Sequence, residues 1–401
     1  MLSREQVWEL ARSVHPYGVQ VRRDLHRNPE LSFEEHDTHQ YLAAALQEMG
    51  CSFQSGLGGG TGLHVVIRGS RPGPTVALRA DIDALPIQEE TGLPFASQRP
   101  GVMHACGHDV HTAILLATAR ALQSIKDDLP GQVVLIFQPG EEQNPGGASL
   151  MIRDGVLDDP KVDAIFGLHV EPYMEAGCMA FAPGPVMAAP DELRVTVVGR
   201  GGHGASPHLT VDPVLTACQI ITMLQQVVAR NVDPFQPAVI TIGMIQGGSA
   251  HNIIPDEVTF VGTVRTMDPE LRRLMPERIE AVIRGVCEAA GATYRFHYEH
   301  GYPVLINDAE MTELGRQAAV AVLGADKVQP MEPSMGGEDF AYYLQRVPGT
   351  FARLGVRASD NTAPHGLHTS RLMVDESSIA VGVAYYIQVV QDFLRSTNRG
   401  A

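Results

Sequence analysis

Apolar and polar positions divide the chain into segments of two periods. Short, nearly continuous apolar runs at Gly62–Arg68, Thr75–Arg79, Gln132–Gln138 and Ala164–Val170 predict buried strands. Helical spacing covers about Arg4 to His26, where Asn28-Pro29 stops it, and about Glu35 to Met49. The Ala/Leu-rich stretch Ala113–Ile125 predicts a buried helix. Strands alternating with helices predict an α/β layer structure around a largely buried sheet.

Near Pro183-Gly184-Pro185 the pattern changes. A strand (Glu192–Val198) leads through a Gly-rich turn to a helix over about Pro213–Arg230. Strands at Ala238–Ile245 and Glu257–Arg265, a helix from Pro269 and a strand at Thr293–Glu299 follow. Leu271, Leu274, Met275, Ile279, Val282, Ile283 and Val286 form one apolar helical stripe, and Asp268 with Pro269 suits its cap and first turn. The order βαββαβ is that of a ferredoxin-like unit. Beyond it α/β character resumes. If His368 joins the earlier ligand-type residues, the larger domain is discontinuous and the smaller one inserted, with segments 1–186, 187–303 and 304–401.

At 401 residues two domains are the natural expectation. A net charge of −16 without a basic cluster argues against a nucleic-acid partner. No apolar run approaches the roughly 18–20 residues that span a bilayer, and the first residues lack the apolar core of a secretory signal. The five cysteines are scattered, odd in number and without a C-x-x-C pair, which suits a reducing cytoplasm better than a disulfide framework.

The densest chemistry is His104-Ala105-Cys106-Gly107-His108-Asp109, immediately before an apolar helix. Alternation across one Gly lets Cys106 and His108 converge from a loop onto one centre. Glu141-Glu142, His169 and His368 add further ligand types. Thiolate, imidazole and carboxylate together suit a borderline divalent ion such as Zn, Mn, Co or Ni. The set points to a metal-dependent hydrolase rather than a thiol enzyme. Of the paired glutamates, one carboxylate can bind metal while its neighbour takes a proton from water. Asp81 and Asp83, two apart after a strand, can face one side, where a carboxylate would orient a ligand imidazole. In the insert, Gly199–Ser206 lacks the G-K-[ST] ending of a phosphate loop. His203, His251, Asn252 and Arg265 supply groups able to polarise a carbonyl and hold a carboxylate.

These residues fall into ordered motifs. They are His26–Ser32, Arg79–Pro86, His104–Asp109, Gln138-Pro139-Gly140-Glu141-Glu142, Gly167-Leu168-His169, Gly336-Gly337-Glu338-Asp339-Phe340 and Leu367-His368-Thr369. With them nearly the whole chain resembles the aminoacylase/hippurate-hydrolase branch of the dinuclear metallopeptidases, related to auxin-conjugate hydrolases and glutamate carboxypeptidase. The resemblance implies a zinc-peptidase-like catalytic domain with a ferredoxin-like lid that forms a homodimer or homotetramer. It implies two divalent metals held by Cys106, His108, Glu142, His169 and His368, with Glu141 as general base and Asp83 orienting a ligand. His203 and Asn252 would assist the substrate carbonyl, one of them from a partner subunit, and Arg265 would hold the substrate carboxylate. The implied reaction is hydrolysis of the linear amide of an N-acyl amino acid. A dipeptidase or carboxypeptidase of the same fold, and a catalytically silent metal-binding homologue, are the alternatives. More distant relatives have a His where this chain has Asp81 and an Asp near Cys106, a pair this branch replaces with Cys-x-His; a thiolate can bridge two metals, which makes Cys106 a candidate bridge.

Overall fold

The structure, a computed structural model, describes residues 2–360 and 363–396. Residue 1 and residues 397–401, the ends of the expected segments 1–186 and 304–401, lie outside the described residues. The chain forms two compact units, one from Met1–Gly184, Ile306–Glu332 and Asp339–Ala401, the other from Pro185–Leu305 and Pro333–Glu338.

The first unit is built on an eight-stranded sheet. Its order is Ser52–Leu57, Gly62–Arg68, Pro130–Gln138, Arg71–Asp81, Ala164–Glu175, Gly349–Arg357, Met179–Phe181 and Val328–Pro330. The four strands from Pro130–Gln138 to Gly349–Arg357 are mutually parallel. Such strands are covered on both faces, which is why they read as continuous apolar runs. Val133, Val134, Leu135, Ile136 and Phe137 are all fully buried. Helices Arg4–Arg27, His108–Ser124 and Ser377–Ser396 supply Val21, Leu116 and Ile387 to the core that Val133, Leu135 and Phe137 share. Each fully buried side chain of this size contributes about 1.5–3 kcal/mol. The N-terminal helix opens on a capping box, in which Ser3 Oγ accepts from Gln6 N and Gln6 Oε1 accepts from Ser3 N.

Several elements run beyond their expected bounds, among them the strands Arg71–Asp81 and Ala189–Val198, and two further cases position the site. The helix expected from Ala113 begins at His108, because Gly107 takes the left-handed conformation (φ 81°) and starts the first turn five residues earlier. The strand expected to end at Val170 continues to Glu175, because Gly349–Arg357 pairs with it along that length. His169 is therefore a mid-strand residue.

The second unit is a four-stranded antiparallel sheet in the order Ala238–Gly247, Glu257–Thr266, Ala189–Val198 and Thr293–Glu299. With helices Pro213–Asn231 and Pro269–Ala290 this is βαββαβ, with the ferredoxin-like strand order. Asp212 and Asp268 accept backbone N–H groups of the first helical turns, and proline follows each. Of the expected stripe, Leu271, Met275, Ile279, Ile283 and Val286 are buried and Leu274 and Val282 half-buried. Residues 333–338 follow the insert in sequence but cluster with it. Ser334 N donates to Val186 O (3.0 Å), and Ala188 N to Gly336 O (2.9 Å).

Candidate metal centre

The centre of the first unit lies where the sheet reverses its direction of growth. From Arg71–Asp81 the chain next adds Pro130–Gln138 on one side and then Ala164–Glu175 on the other. Open α/β sheets bind ligands at the carboxyl edge of such a switch point. Pairing places Asp81 opposite Gln138 and Arg79 opposite Gly167, so His169 stands level with Asp81, where the central strand ends. A mid-strand histidine thus reaches the carboxyl edge of its neighbour.

The loop before the helix His108–Ser124 lies against that strand. A Cβ on Gly107 would come within 2.5 Å of Val170 Cγ2, so only glycine allows the approach that puts Cys106 and His108 beside His169. The first turn is tied down by the buried Asp109, which binds Arg22 Nε (3.0 Å) and His26 Nδ1 (2.8 Å). His368, far along the chain, is delivered by a hydrogen bond from its N–H to Ala105 O (2.8 Å) and sits at φ 59°.

The donors form overlapping groups. The ligand atoms of Cys106, His108 and His169 lie within 4.8 Å of one another, as do those of Cys106, Glu142 and His368, and those of His108, Glu141 and Glu142. Two imidazoles have their free nitrogen decided by the fold. His108 Nδ1–H donates to Asp83 O (2.9 Å) and Oδ1 (3.1 Å), which leaves a buried Nε2 without a hydrogen-bond partner. His169 Nδ1–H donates to Val170 O (2.8 Å), and its Nε2 lies 3.4 Å from Cys106 Sγ. His368 Nε2 is 3.2 Å from Glu142 Oε1. An orphaned imidazole nitrogen among a buried thiol, imidazoles and carboxylates fits a divalent cation.

The electrostatics agree. Hydrogen bonds to Cys106 and Glu142 push the His368 imidazole up to about 10. Against the penalty of burial, the charges of Asp81 and Cys106 hold His108 well above its ordinary value. Burial and then the Glu142 charge push the Cys106 thiol up. The cluster draws positive charge, and a divalent cation answers that field by displacing protons from thiol and imidazolium.

Asp81 and Asp83 both face His108, but only Asp83 hydrogen-bonds it; Asp81 Oδ2 stands 3.6 Å from Nε2. Asp83 Oδ2 also accepts from Glu142 N (2.9 Å) and Ser32 Oγ (2.7 Å), so one carboxylate aligns two candidate ligands. Glu141 is buried and accepts from Asp339 N (3.4 Å).

Sequence reasoning missed three supporting groups. His111 lies near enough to Asp81 and His108 to be counted a ligand. Both its nitrogens are taken: Nδ1–H donates to Asp81 Oδ1 (2.6 Å), and Nε2 accepts from Val170 N (2.9 Å). Beyond the last pair of the two strands, it ties Asp81 of the central strand to Val170 of the strand of His169. Arg79 forks to Gln138 Oε1 (2.8 Å), Asp81 Oδ2 (2.6 Å) and Asp339 Oδ1 (2.7 Å). Its signal was visible, since an arginine in an apolar strand run needs buried acceptors. Glu35 is the third.

The remaining expected residues lie in the second unit. His203 and Asn252 are neighbours: Gly204 N donates to Asn252 O (2.9 Å), and His203 pairs with Ile253. Arg265 is paired with Pro190, at the opposite end of the sheet from Glu257 and Val198, where the His203 ribbon emerges. Eight residues of strand at ~3.3 Å each separate the two ends by roughly 26 Å. One small substrate cannot touch both from a single copy of this unit, so the structure does not bring these three together within one copy. The Arg265 guanidinium is half-buried and makes no hydrogen bond among the described residues; burial lowers its pKa.

This arrangement has relatives, and the chain belongs to peptidase family M20/M25/M40, whose family model matches residues 77–392. It is 43% identical over 371 residues to the N-acetyl-L-cysteine deacetylase of Bacillus subtilis, covering 92% of this chain and 86% of that one. It is 40% identical over 373 residues to thermostable carboxypeptidase 1 of Saccharolobus solfataricus, covering 92% and 94%. The crystal structure of a Bacillus subtilis protein described as a dinuclear metal binding peptidase from the M20 family matches with a TM-score of 0.83 and 35% identity, over 96% of this chain and 99% of that one.

Proposed function

We propose that this chain is a metal-dependent amidohydrolase that cleaves the amide of N-acyl amino acids bearing a free carboxylate. The observation that carries the reading is Cys106: its sulfur belongs both to the group with His108 and His169 and to the group with Glu142 and His368. Those five residues, with Cys106 common to both groups, would hold two divalent ions (Zn, Mn, Co or Ni). When bound, the ions would supply Lewis acidity toward the amide carbonyl and make water a stronger acid. Glu141 takes a proton from the attacking water as its oxygen bonds to the carbonyl carbon. It returns that proton to the nitrogen as the C–N bond breaks, giving a carboxylic acid and an amino acid. Asp83 holds His108 and the Glu142 backbone in register throughout. A deacetylase and a carboxypeptidase cleave the same kind of bond, an amide on the nitrogen of an amino acid with a free carboxylate, and differ in the acyl group.

The insert would act as a lid. Arg265 holds the carboxylate, and the distance from Arg265 to His203 and Asn252 is bridged if that pair comes from a second copy, which makes a homodimer or larger assembly the working unit. Five free cysteines fit a reducing cytoplasm, and among the described residues no helix is long and apolar enough to cross a membrane.

Metal analysis combined with assays on N-acetyl and N-benzoyl amino acids and on short peptides tests the reading. Full metal occupancy with no hydrolysis across that panel would sink it. Cys106→Ala is expected to lower bound metal below the wild-type stoichiometry by elemental analysis; unchanged stoichiometry would remove Cys106 from the principal ligands. Arg265→Ala should raise KM by about 10- to 100-fold for substrates with a free carboxylate, the range of a lost charge-assisted hydrogen bond. An equal loss on carboxyl-amidated analogues would contradict that contact.

A further inference from the structure

A buried carboxylate that touches the turn carrying Glu141 and Glu142 lies more than a hundred positions earlier in the chain. Glu35 is completely buried at the start of the helix His36–Glu48. Burying a carboxylate is costly unless its oxygens are used. Oε1 accepts from Phe33 N (2.9 Å) and from Gly140 N (2.8 Å), and Oε2 accepts from Thr61 Oγ1 (2.7 Å). The Gly140 contact connects this pocket to the metal centre, because Glu141 and Glu142 follow directly.

Gly140 is itself buried and left-handed, at φ 60°. A Cβ there would meet the Phe33 ring at 2.3 Å, and Phe33 is also held at a positive φ of 65°. Ring and carboxylate thus clamp one turn from one short segment. On the other side of Glu141, Glu142 N is held by Asp83 Oδ2 (2.9 Å), and Gly140 O accepts from Gly147 N (3.0 Å). The turn carrying both glutamates hangs from two buried carboxylates, one on each flank. Without the Glu35 acceptor, the Gly140 N–H would be buried with no partner in that pocket, and the turn would rotate to satisfy it.

We propose that Glu35 is a positioning residue for the metal centre, acting through the Gly140 N–H to aim Glu141 and Glu142. It touches neither metal ligands nor reacting atoms. The role needs an acceptor at Oε1 and not a negative charge. Burial and the nearby Asp83 charge, which push this carboxyl up to about 7, are in keeping with that. The proposal rests on the reading of Glu142 as a ligand and Glu141 as base.

The test compares Glu35→Gln, Glu35→Met and Glu35→Asp with Thr61→Val as control. Affinity for Zn2+ and Mn2+ is measured by calorimetric titration of metal-stripped protein, beside kcat, KM and thermal midpoint. Groups that support a metal site from behind its ligands typically contribute 10- to 100-fold to affinity or activity. Glu35→Met is expected to lose that much in metal affinity and in kcat, with KM little changed. Glu35→Asp, too short to reach Gly140, should behave alike. Glu35→Gln keeps the acceptor and should stay well inside the roughly 10-fold lower bound of that loss on both readouts. Thr61→Val removes only the Oε2 contact and should lower stability without moving kcat or affinity. Wild-type metal affinity in Glu35→Met or Glu35→Asp would overturn the proposal, and so would a Gln variant as damaged as the Met one. If Glu35→Met does not fold, comparing the Gln and Asp variants separates the same two outcomes. Failure of the hydrolase reading would look different, since wild type would then bind metal and turn over no substrate while the affinity differences persisted.

Discussion

Glu141→Gln will leave the protein folded and able to bind its metal while turnover falls about 10²–10⁴-fold, the usual contribution of a general base. Glutamine keeps the side-chain length and an acceptor for the Asp339 N–H that reaches Glu141 Oε1 at 3.4 Å. It cannot take up and return a proton. The five candidate ligands are untouched, and Glu142 stays held through its own backbone N–H by Asp83. The loss should appear in kcat, with KM and metal stoichiometry close to wild type, because the missing interaction belongs to proton transfer and not to substrate binding. Turnover within a few-fold of wild type would remove Glu141 from the role of base and leave Glu142, or another carboxylate, to fill it.

Arg79→Met is expected to destabilise the first unit by about 3–5 kcal/mol, the usual cost of deleting one partner of a buried ion pair. The guanidinium is 1% exposed, and Asp81 and Asp339 are fully buried. Its three nitrogens reach Gln138, Asp81 and Asp339 at 2.8, 2.6 and 2.7 Å. Methionine fills much of the volume but removes the guanidinium that, with His108 and His111 for Asp81 and with Gln138 and Ala148 N for Asp339, offsets the burial of two carboxylates. Asp339 N also supports Glu141, and Asp81 supports His111, so the damage would reach the site as well as the core. Chemical denaturation monitored for this unit measures the change. Adding Asp339→Asn to the methionine variant should recover part of it by removing one uncompensated charge. A denaturation midpoint equal to wild type would show that the arginine's charge is not what balances these acids.

Much of the fold was legible because local chemistry sets local period. The run from Val133 to Phe137 reads as a strand covered on both faces, and the stripe from Leu271 to Val286 as a helix with one buried side. Boundaries failed where a distant segment decided them. Gly107 started its helix early because of its packing against Val170, and Ala164–Glu175 ran on because Gly349–Arg357 lay beside it.

For the site, the sequence by itself determined the chemical inventory: a thiol, imidazoles and carboxylates in ordered motifs, with a glutamate pair after a Pro-Gly turn. Only the tertiary structure decided which atoms of that inventory are available. His108 and His111 stand three residues apart on one helix. Asp83 accepts the Nδ1–H of the first and leaves its Nε2 open, whereas Asp81 and Val170 occupy both nitrogens of the second. Likewise Glu35 gains its importance from Gly140, and Arg265 is parted from His203 by the length of one strand. The physical reason is common to all of these. Residue type and spacing encode which groups can donate, accept or bind, but the partner that satisfies each buried polar atom comes from segments far away in sequence. What remains unsatisfied after that pairing is what a cation or substrate can use.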